Sequence, residues 1–250
     1  MVASFHAPFT SRETLVDALR QRGRAILAPA DVAALCDVPL DQLQALASAW
    51  DDLPHDRYLR DGGRYRRRRH ACFVVGSDGV DQVSHRAHYQ PTDYNALHGG
   101  IQRWFEPIAP QTVAAPAWSR LLRALGDHLR EVRHADPWYV EAHQFRIDTT
   151  DGIGRPTPEG AHRDGVDFVA VFIVGRHGIR GGETRVFDAH GPDGQRFTLS
   201  EPWSLLLLDD TRMIHETTPI QPAAVGDEAG VGHRDTLVLT DRSGGFQSET

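Results

Sequence analysis

The periodicity of the apolar residues changes near Trp138, and this change constrains the fold more than any other feature of the sequence. Before it, the chain has mostly helical spacing. After it, short β-rich runs are separated by Gly, Pro and Asp, and no helical pattern alternates with them. The runs are WYVEAHQFRI, VDFVAVFIV, ETRVFD, WSLLLLDD and DTLVLTD. Helices followed by strands favour a β-sandwich or short barrel with flanking helices and argue against a Rossmann sheet.

The first part of the chain predicts several helices and one strand. A helix is expected between the capping residue Ser11 and the closing residue Gly23. Helical spacing also marks PLDQLQALASAWDDLP, YNALHGGIQRWF and AWSRLLRALGDHLREVRH, whereas RYRRRRHACFVV reads as a strand. We therefore expect one domain over residues 1–250, with a mostly helical part at 1–137 and a β-rich core at 138–242 that carries the site.

Composition excludes several classes of function. The net charge of −7 argues against broad nucleic-acid binding, even though Arg66 to Arg69 form a basic run. No apolar run approaches the ~20 residues that a membrane helix needs, and the N-terminus lacks the pattern of a secretory signal. Cys36 and Cys72 are too few for a disulfide scaffold. We interpret them as reduced thiols, which predicts a cytoplasmic protein.

The pattern His-x-Asp occurs three times, and its context separates one copy from the others. His134 ends the long predicted helix, where a histidine has a structural explanation, and His233 has no histidine after it. His162 follows a Pro- and Gly-rich loop and comes just before a buried strand. Since residues i and i+2 of a strand point to the same side, His162 and Asp164 are expected to face one metal ion.

His215 follows another buried apolar run and is the expected third ligand. Two imidazoles and one carboxylate on one face leave three coordination positions open, as in the facial triad of non-haem Fe(II) oxygenases. The alternative is a set of inert polar residues at strand ends. Asp209 and Asp210 are expected to end the strand and to brace the loop that carries His215.

A cosubstrate site is predicted on the last strand. Arg234 and Thr236 share one face there, and a guanidinium fork with a neighbouring hydroxyl suits the distal carboxylate of 2-oxoglutarate. Arg242, at the far end of the same strand, is the weaker alternative. The loop 217–232 is long and rich in Gly, Ala and Pro, and we expect it to alter the spacing to Arg234 or to act as a lid.

The order of these motifs resembles the double-stranded β-helix of the Fe(II)/2-oxoglutarate dioxygenases. More specifically, the chain resembles the bacterial free-amino-acid hydroxylases typified by L-isoleucine hydroxylase, over roughly Tyr65 to Thr240. The resemblance is carried by YRRRRHACF, YNALHGGIQRWFEPI, HQFRI, PEGAHRDGVDFV, GGET, LLLDDTRMIHETTPI and HRDTLVL. It implies a double-stranded β-helix of the jelly-roll, cupin-like type with an N-terminal helical layer.

The same resemblance implies catalytic and metal-binding roles for His162, Asp164 and His215, and 2-oxoglutarate binding by Arg234 with Thr236. The implied activity is hydroxylation of an unactivated C–H bond of a free L-amino acid or a close derivative. It requires Fe(II), 2-oxoglutarate and O2, and it releases succinate and CO2. Desaturation or cyclisation would use the same residues.

An amino acid zwitterion needs a cationic and an anionic partner in its pocket. Arg67 and Gln144 are our predicted substrate contacts, and Glu159 or Glu141 is expected to receive the ammonium group. On a strand, Arg67 and Arg69 face one way and the other two arginines of the run face the opposite way. Gln144 has an equally good interpretation as a buried structural amide.

The sequence is also compatible with two other functions. A zinc hydrolase would use the same three ligands with a metal-bound water, and it would not need Arg234. A non-catalytic, cupin-like sensor would bind a small ligand without consuming O2. The sequence leaves the preferred amino acid and the oligomeric state open.

Overall fold

The structure, a computed structural model, describes residues 6–95, 97–223 and 230–248. Its helices lie almost entirely before residue 133 and its longest strands after residue 137, with one exception, a ten-residue strand in the arginine run. The α-helices are α1 (Leu15–Arg22), α2 (Pro29–Cys36), α3 (Leu40–Ala45), α4 (Pro110–Val113) and α5 (Pro116–Val132), and 3-10 helices cover Arg12–Thr14 and Leu46–Trp50.

The strands include those predicted from the short β-rich runs of the second half of the sequence. They are β1 (Arg24–Leu27), β2 (Arg66–Val75), β3 (Val80–Gln82), β4 (Trp138–Asp148), β5 (Phe168–His177), β6 (Ile179–Gly181), β7 (Thr184–Asp188), β8 (Gly194–Phe197), β9 (Leu205–Asp209), β10 (Met213–Thr217), β11 (Ile220–Pro222) and β12 (His233–Arg242).

The described strands form one large and two small sheets. The large sheet has the order β1-β9-β5-β12-β4-β2-β3, and each of its pairs is antiparallel. The small sheets have the orders β10-β7-β8 and β11-β6. This mainly antiparallel, jelly-roll arrangement with N-terminal helices confirms the predicted fold class.

The helices cover one face of the large sheet. Their apolar residues join those of β4, β5, β9 and β12 in the largest hydrophobic core. The indole N–H of Trp50, which is fully buried, donates to the main-chain oxygens of Phe145 and Thr236 at 3.1 and 3.2 Å. The helical layer is thereby tied to two central strands, and the opposite face of the sheet is left to form a cavity.

The prediction of a helix from Tyr94 to Phe105 is wrong. The main-chain oxygen of Pro91 accepts from Tyr94 N and Asn95 N, and Gly100 N donates to Gln90 O. Gly100 has a φ of +73°, which a helix does not allow. These contacts close turns in a loop that covers the open face of the sheet.

Candidate active site

The cavity lies between the uncovered face of the large sheet, strand β10 and the loop that covers the sheet. Its volume is about 120 Å³. Residues of β2, β4, β5 and β12 reach it by strict alternation, because successive side chains of a strand point to opposite faces. The strand residues that line it are Arg66, Arg68, His143, Phe145, Ile147, Val171, His215, Thr217, Arg234, Thr236, Val238 and Thr240.

The structure brings His162, Asp164 and His215 together at one end of this cavity. His162 lies in the loop before β5, and its main chain pairs with that of His215 on β10, with N–O distances of 3.0 and 2.9 Å in the two directions. Asp164 Oδ1 lies 3.9 Å from His162 Nε2, and Asp164 Oδ2 lies 3.7 Å from His215 Nε2. The three ligand atoms all lie within 4.8 Å of one another.

Hydrogen bonds orient two of the three side chains, those of His162 and Asp164. His162 Nδ1 lies 2.9 Å from the main-chain oxygen of Gly160, which leaves Nε2 facing Asp164. Gln90 Nε2 donates to Asp164 Oδ1 at 2.9 Å. Burial lowers the pKa of His215 to about 4, so this imidazole is neutral at physiological pH, as a metal ligand must be.

Asp210 braces the segment that carries Asp164. Its carboxylate accepts from the main-chain N–H groups of Asp164, Gly165 and Val166 at 2.8 to 3.1 Å. The sequence predicted a bracing role for Asp210 but assigned it to the loop of His215. Asp209 instead contacts Arg133 and Thr211.

Two nitrogen donors and one carboxylate on one side of a cavity fit Fe(II), since imidazole and carboxylate ligands in this facial set are those of non-haem iron sites. A carboxylate-bearing cosubstrate also fits. Arg234 is buried in the same cavity, and its Nε has no hydrogen-bond acceptor among the described residues. Burial and the nearby Arg176 lower its pKa to about 9, which still leaves it charged. Thr236 lies two residues further along the same face.

The structure distinguishes between Arg234 and Arg242 as candidates for binding the cosubstrate carboxylate. Arg242 lies at the opposite end of β12, lines no part of this cavity, and donates to the main-chain oxygen of Gly245. The loop 217–232 falls partly outside the described residues, so its predicted role as a lid stays a prediction. Its described beginning carries β11, which pairs with β6.

One of the three predicted substrate contacts lines the cavity, and the other two do not. Glu159 lines the cavity, with Oε1 3.4 Å from His162 Nε2 and Oε2 buried without a hydrogen-bond partner among the described residues. Gln144 and Arg67 lie on the other face of the sheet, because the cavity takes His143, Phe145, Arg66 and Arg68 from their strands. Arg67 pairs with Asp148 there, at 3.5 Å. Their placement therefore does not support a substrate contact for either residue.

A second group of buried side chains with metal-binding atoms lies deeper, at His70, His88, Glu141 and His143. Glu141 Oε2 accepts from His70 Nε2 at 2.9 Å and from His88 Nδ1 at 2.7 Å. Burial alone would raise the pKa of Glu141, but the two histidines hold it below its usual value. Glu141 is thus already engaged and is not free to receive a substrate ammonium group.

Sequence reasoning missed the residues that the covering loop supplies. Gln90, Asn95 and Arg103 all line the cavity. Gln90 Oε1 accepts from Asn95 Nδ2 at 3.1 Å and from Arg103 Nη2 at 2.9 Å, which turns its amide nitrogen toward Asp164. Asn95 and Arg103 fall in the segment wrongly predicted to be a helix, and no local pattern marked Gln90.

The other two His-x-Asp pairs lie outside the cavity. His134 is exposed, and His233 Nε2 lies 3.5 Å from Asp235, which pairs with Arg146. The described residues contain no helix that is long and apolar enough to span a membrane.

Comparison with known proteins agrees with this geometry. The sequence model of the family described as 2OG-Fe dioxygenase matches residues 47–240. A BsmA homologue from Methylobium petroleophilum PM1 is 52% identical, with a TM-score of 0.91 and 100% coverage of both chains. No curated protein matches the chain significantly.

More distant solved structures share the fold alone. IDO from Bacillus thuringiensis is 18% identical, with a TM-score of 0.75 and coverage of 93% of this chain and 99% of that one. The Fe(II)/α-ketoglutarate-dependent dioxygenase TqaL is 20% identical, with a TM-score of 0.70 and coverage of 92% and 86%. The match of the family model to residues 47–240 shows that the chain belongs to the 2OG-Fe dioxygenase family, which implies Fe(II), 2-oxoglutarate and O2 as its cofactor and cosubstrates.

Proposed function

We propose that this protein hydroxylates an unactivated C–H bond of a free L-amino acid or a close derivative. The observation that carries the proposal is the shared cavity: the set His162, Asp164 and His215 and the buried cation Arg234 open into one small space. A volume of about 120 Å³ suits a small molecule. Carboxylate Oε2 of Glu159 is buried there with no hydrogen-bond partner in the described part of the chain, and it suits a substrate ammonium group.

In this proposal, His162, Asp164 and His215 hold Fe(II), and Arg234 with Thr236 holds the distal carboxylate of 2-oxoglutarate. Fe(II), 2-oxoglutarate and O2 would together supply the chemistry that oxidises the C–H bond and releases succinate and CO2. The residues of the chain orient the metal ligands and shape the cavity. Gln90 orients Asp164, Asp210 holds the main chain beside it, and the apolar side chains of Val171 and Val238 exclude water from the cavity wall.

Membership of the 2OG-Fe dioxygenase family favours this function over a zinc hydrolase or a ligand sensor. Desaturation or cyclisation of an amino acid would need the same residues, and the product of the reaction distinguishes these outcomes.

The test is substrate-dependent formation of succinate. Purified protein would be incubated with Fe(II), ascorbate, 2-oxoglutarate and O2 and each of the twenty free L-amino acids in turn, and the products identified by mass spectrometry. We expect succinate and a product heavier by one oxygen atom with at least one amino acid. His162→Ala should abolish both.

His134→Ala is the matched control, because His134 belongs to an exposed His-x-Asp pair outside the cavity, and it should retain activity. Turnover by His162→Ala equal to that of the wild type would overturn the assignment of the metal ligands. Absence of succinate with every amino acid would overturn a standard free L-amino acid as the substrate, and the same assay with N-acylated and esterified amino acids would then test the close derivatives.

A further inference from the structure

Three arginines line the cavity wall formed by β2 and the covering loop. Arg66 and Arg68 come from alternate positions of β2, and Arg103 comes from the loop. Their exposed fractions are only 6%, 3% and 2%. Guanidinium groups are rarely buried to this extent without matching carboxylates, so the charge balance of this cluster decides its role.

Only one carboxylate of the described residues lies within ion-pair distance of this cluster. Asp56 Oδ2 lies 2.7 Å from Arg66 Nε and 3.8 Å from Arg68 Nη1, so one carboxylate serves two guanidinium groups. No described carboxylate lies within ion-pair distance of Arg103, whose Nη2 donates to the uncharged Gln90. Glu141 and Glu159 attract the cluster only from further away, so the direct ion pairing of the three guanidinium groups rests on Asp56 alone.

Each of the three side chains also has a buried donor without a described acceptor: Arg66 Nη2, Arg68 Nε and Arg103 Nε. Burial lowers the pKa of Arg68 well below its usual value, and repulsion from Arg66 and Arg103 adds to the effect. Burial and Arg66 likewise lower the pKa of Arg103 to about 10. Like charges held together at a cost in stability are a common property of sites that bind the opposite charge.

The position of Arg68 is held by contacts on every side. Its guanidinium carbon lies 3.7 Å from the centre of the Phe105 ring and 4.3 Å from that of Phe145. Its Nη2 donates to His143 Nδ1 at 2.7 Å. Since arginine can only donate, His143 must be neutral, with its proton on Nε2.

The His143 ring stacks on His70 at 4.7 Å, and His70 is bonded to Glu141. The buried histidine cluster thus works as a support for Arg68. A cation bound there would lie beside this guanidinium group and be repelled by it.

We propose that Arg66, Arg68 and Arg103 form a second anion subsite, separate from Arg234, that binds the carboxylate of the substrate. The planar, rigidly held guanidinium of Arg68 matches a carboxylate better than a flexible ammonium group would. The proposal rests on the proposed function, because it assigns the amino acid carboxylate to this wall of the cavity and the 2-oxoglutarate carboxylate to Arg234.

The first experiment measures two KM values in Arg68→Gln, one for 2-oxoglutarate and one for the amino acid that gives the most succinate. Loss of a charged hydrogen bond should raise the amino acid KM roughly 10- to 100-fold, while the 2-oxoglutarate KM stays within about 2-fold of the wild type. Arg69→Gln is the matched control, since Arg69 is the next residue of β2 and points to the other face, toward the main-chain oxygens of Pro107 and Asp52. It should leave both values unchanged.

A binding measurement on the wild-type protein tests the subsite without requiring that the Arg68→Gln variant folds. With Mn(II) in place of Fe(II) and saturating 2-oxoglutarate, calorimetry would compare each L-amino acid with its primary amide, which keeps the ammonium group and lacks the carboxylate. We expect the acid to bind at least about 10-fold more tightly, and inorganic phosphate to compete poorly.

Several outcomes would overturn the subsite. Equal affinity for acid and amide, or a rise in the 2-oxoglutarate KM alone in Arg68→Gln, would do so while leaving the proposed function intact. Tighter binding of phosphate than of any amino acid would assign the cluster to a different anion. Failure of every amino acid both to bind and to yield succinate would overturn the proposed substrate class together with this subsite.

Discussion

The side chain of Gln90 donates from Nε2 to Asp164 Oδ1 at 2.9 Å, and this bond joins the covering loop to the carboxylate of the candidate metal site. The direction of the bond is determined, because Gln90 Oε1 is already occupied by donors from Asn95 and Arg103. A partner of this kind sets the orientation of a ligand before the metal binds.

Gln90→Ala should therefore weaken metal binding by about 10-fold, since outer-shell partners of metal ligands typically contribute 10- to 100-fold. The measurement is the dissociation constant for Co(II), followed by its visible absorption in the absence of 2-oxoglutarate. Gln42→Ala, at an exposed position of α3, is the control. An unchanged dissociation constant would show that Asp164 is oriented without Gln90.

Asp210→Ala should lower both stability and metal affinity. Three main-chain N–H groups lose their acceptor, at a cost of about 1–3 kcal/mol for each that stays buried and unpaired. Thermal unfolding and metal content would be measured on the same sample. Asp209→Ala separates the two effects: Asp209 is also buried, but it contacts Arg133 and Thr211, so its loss should reduce stability and leave metal content near that of the wild type.

Arg234→Met should raise the KM for 2-oxoglutarate by roughly 10- to 100-fold, since a buried charged hydrogen bond is lost. The amino acid KM should change much less. Arg242→Met is the comparison on the same strand, because Arg242 lies outside the cavity. If Arg242→Met rather than Arg234→Met raised the KM for 2-oxoglutarate, the clamp would be at the other end of β12.

Because the carboxyl group of Asp241 is buried, we expect the free energy of unfolding to depend on pH. Burial, with a contribution from Asp167, raises its pKa from 3.8 to about 8. The folded protein then binds more protons than the unfolded chain between these values, so the contribution of Asp241 to stability falls as the pH rises through this window.

Asp241→Asn removes the charge and should raise the Tm at pH 8, by roughly 2–4 °C for each kcal/mol gained, with little difference from the wild type at pH 4. Differential scanning calorimetry at both pH values is the measurement. Asp81→Asn, at an exposed position of β3, should shift the Tm at neither pH. A difference between Asp241→Asn and the wild type that is equal at pH 4 and pH 8 would contradict the argument.

The fold class was predictable from the sequence because periodicity reports which face of an element is apolar. The strand runs of the second half and the helices around α1 and α5 were predicted on this basis. The helix predicted at Tyr94 to Phe105 was wrong: its apolar residues occur at helical spacing, but Gly99 and Gly100 close turns on the main-chain oxygens of Asn95 and Gln90 in the same loop.

The loop before β5, and not the strand spacing used in the prediction, brings His162 and Asp164 together. The sequence by itself determined that Arg234 shares a face with Thr236, and Arg66 with Arg68. It could not determine which face of β2 or β4 is turned toward the cavity. Both faces of these strands carry polar residues, so the alternation specifies relative sides but not the absolute one.

Only the tertiary structure determined that Arg68 faces the cavity while Arg67 and Gln144 lie on the other face, because helices cover one face of the sheet and leave the other open. The same packing brought Gln90 and Arg103 to the site from a loop whose position depends on long-range contacts, which no local pattern of residues encodes.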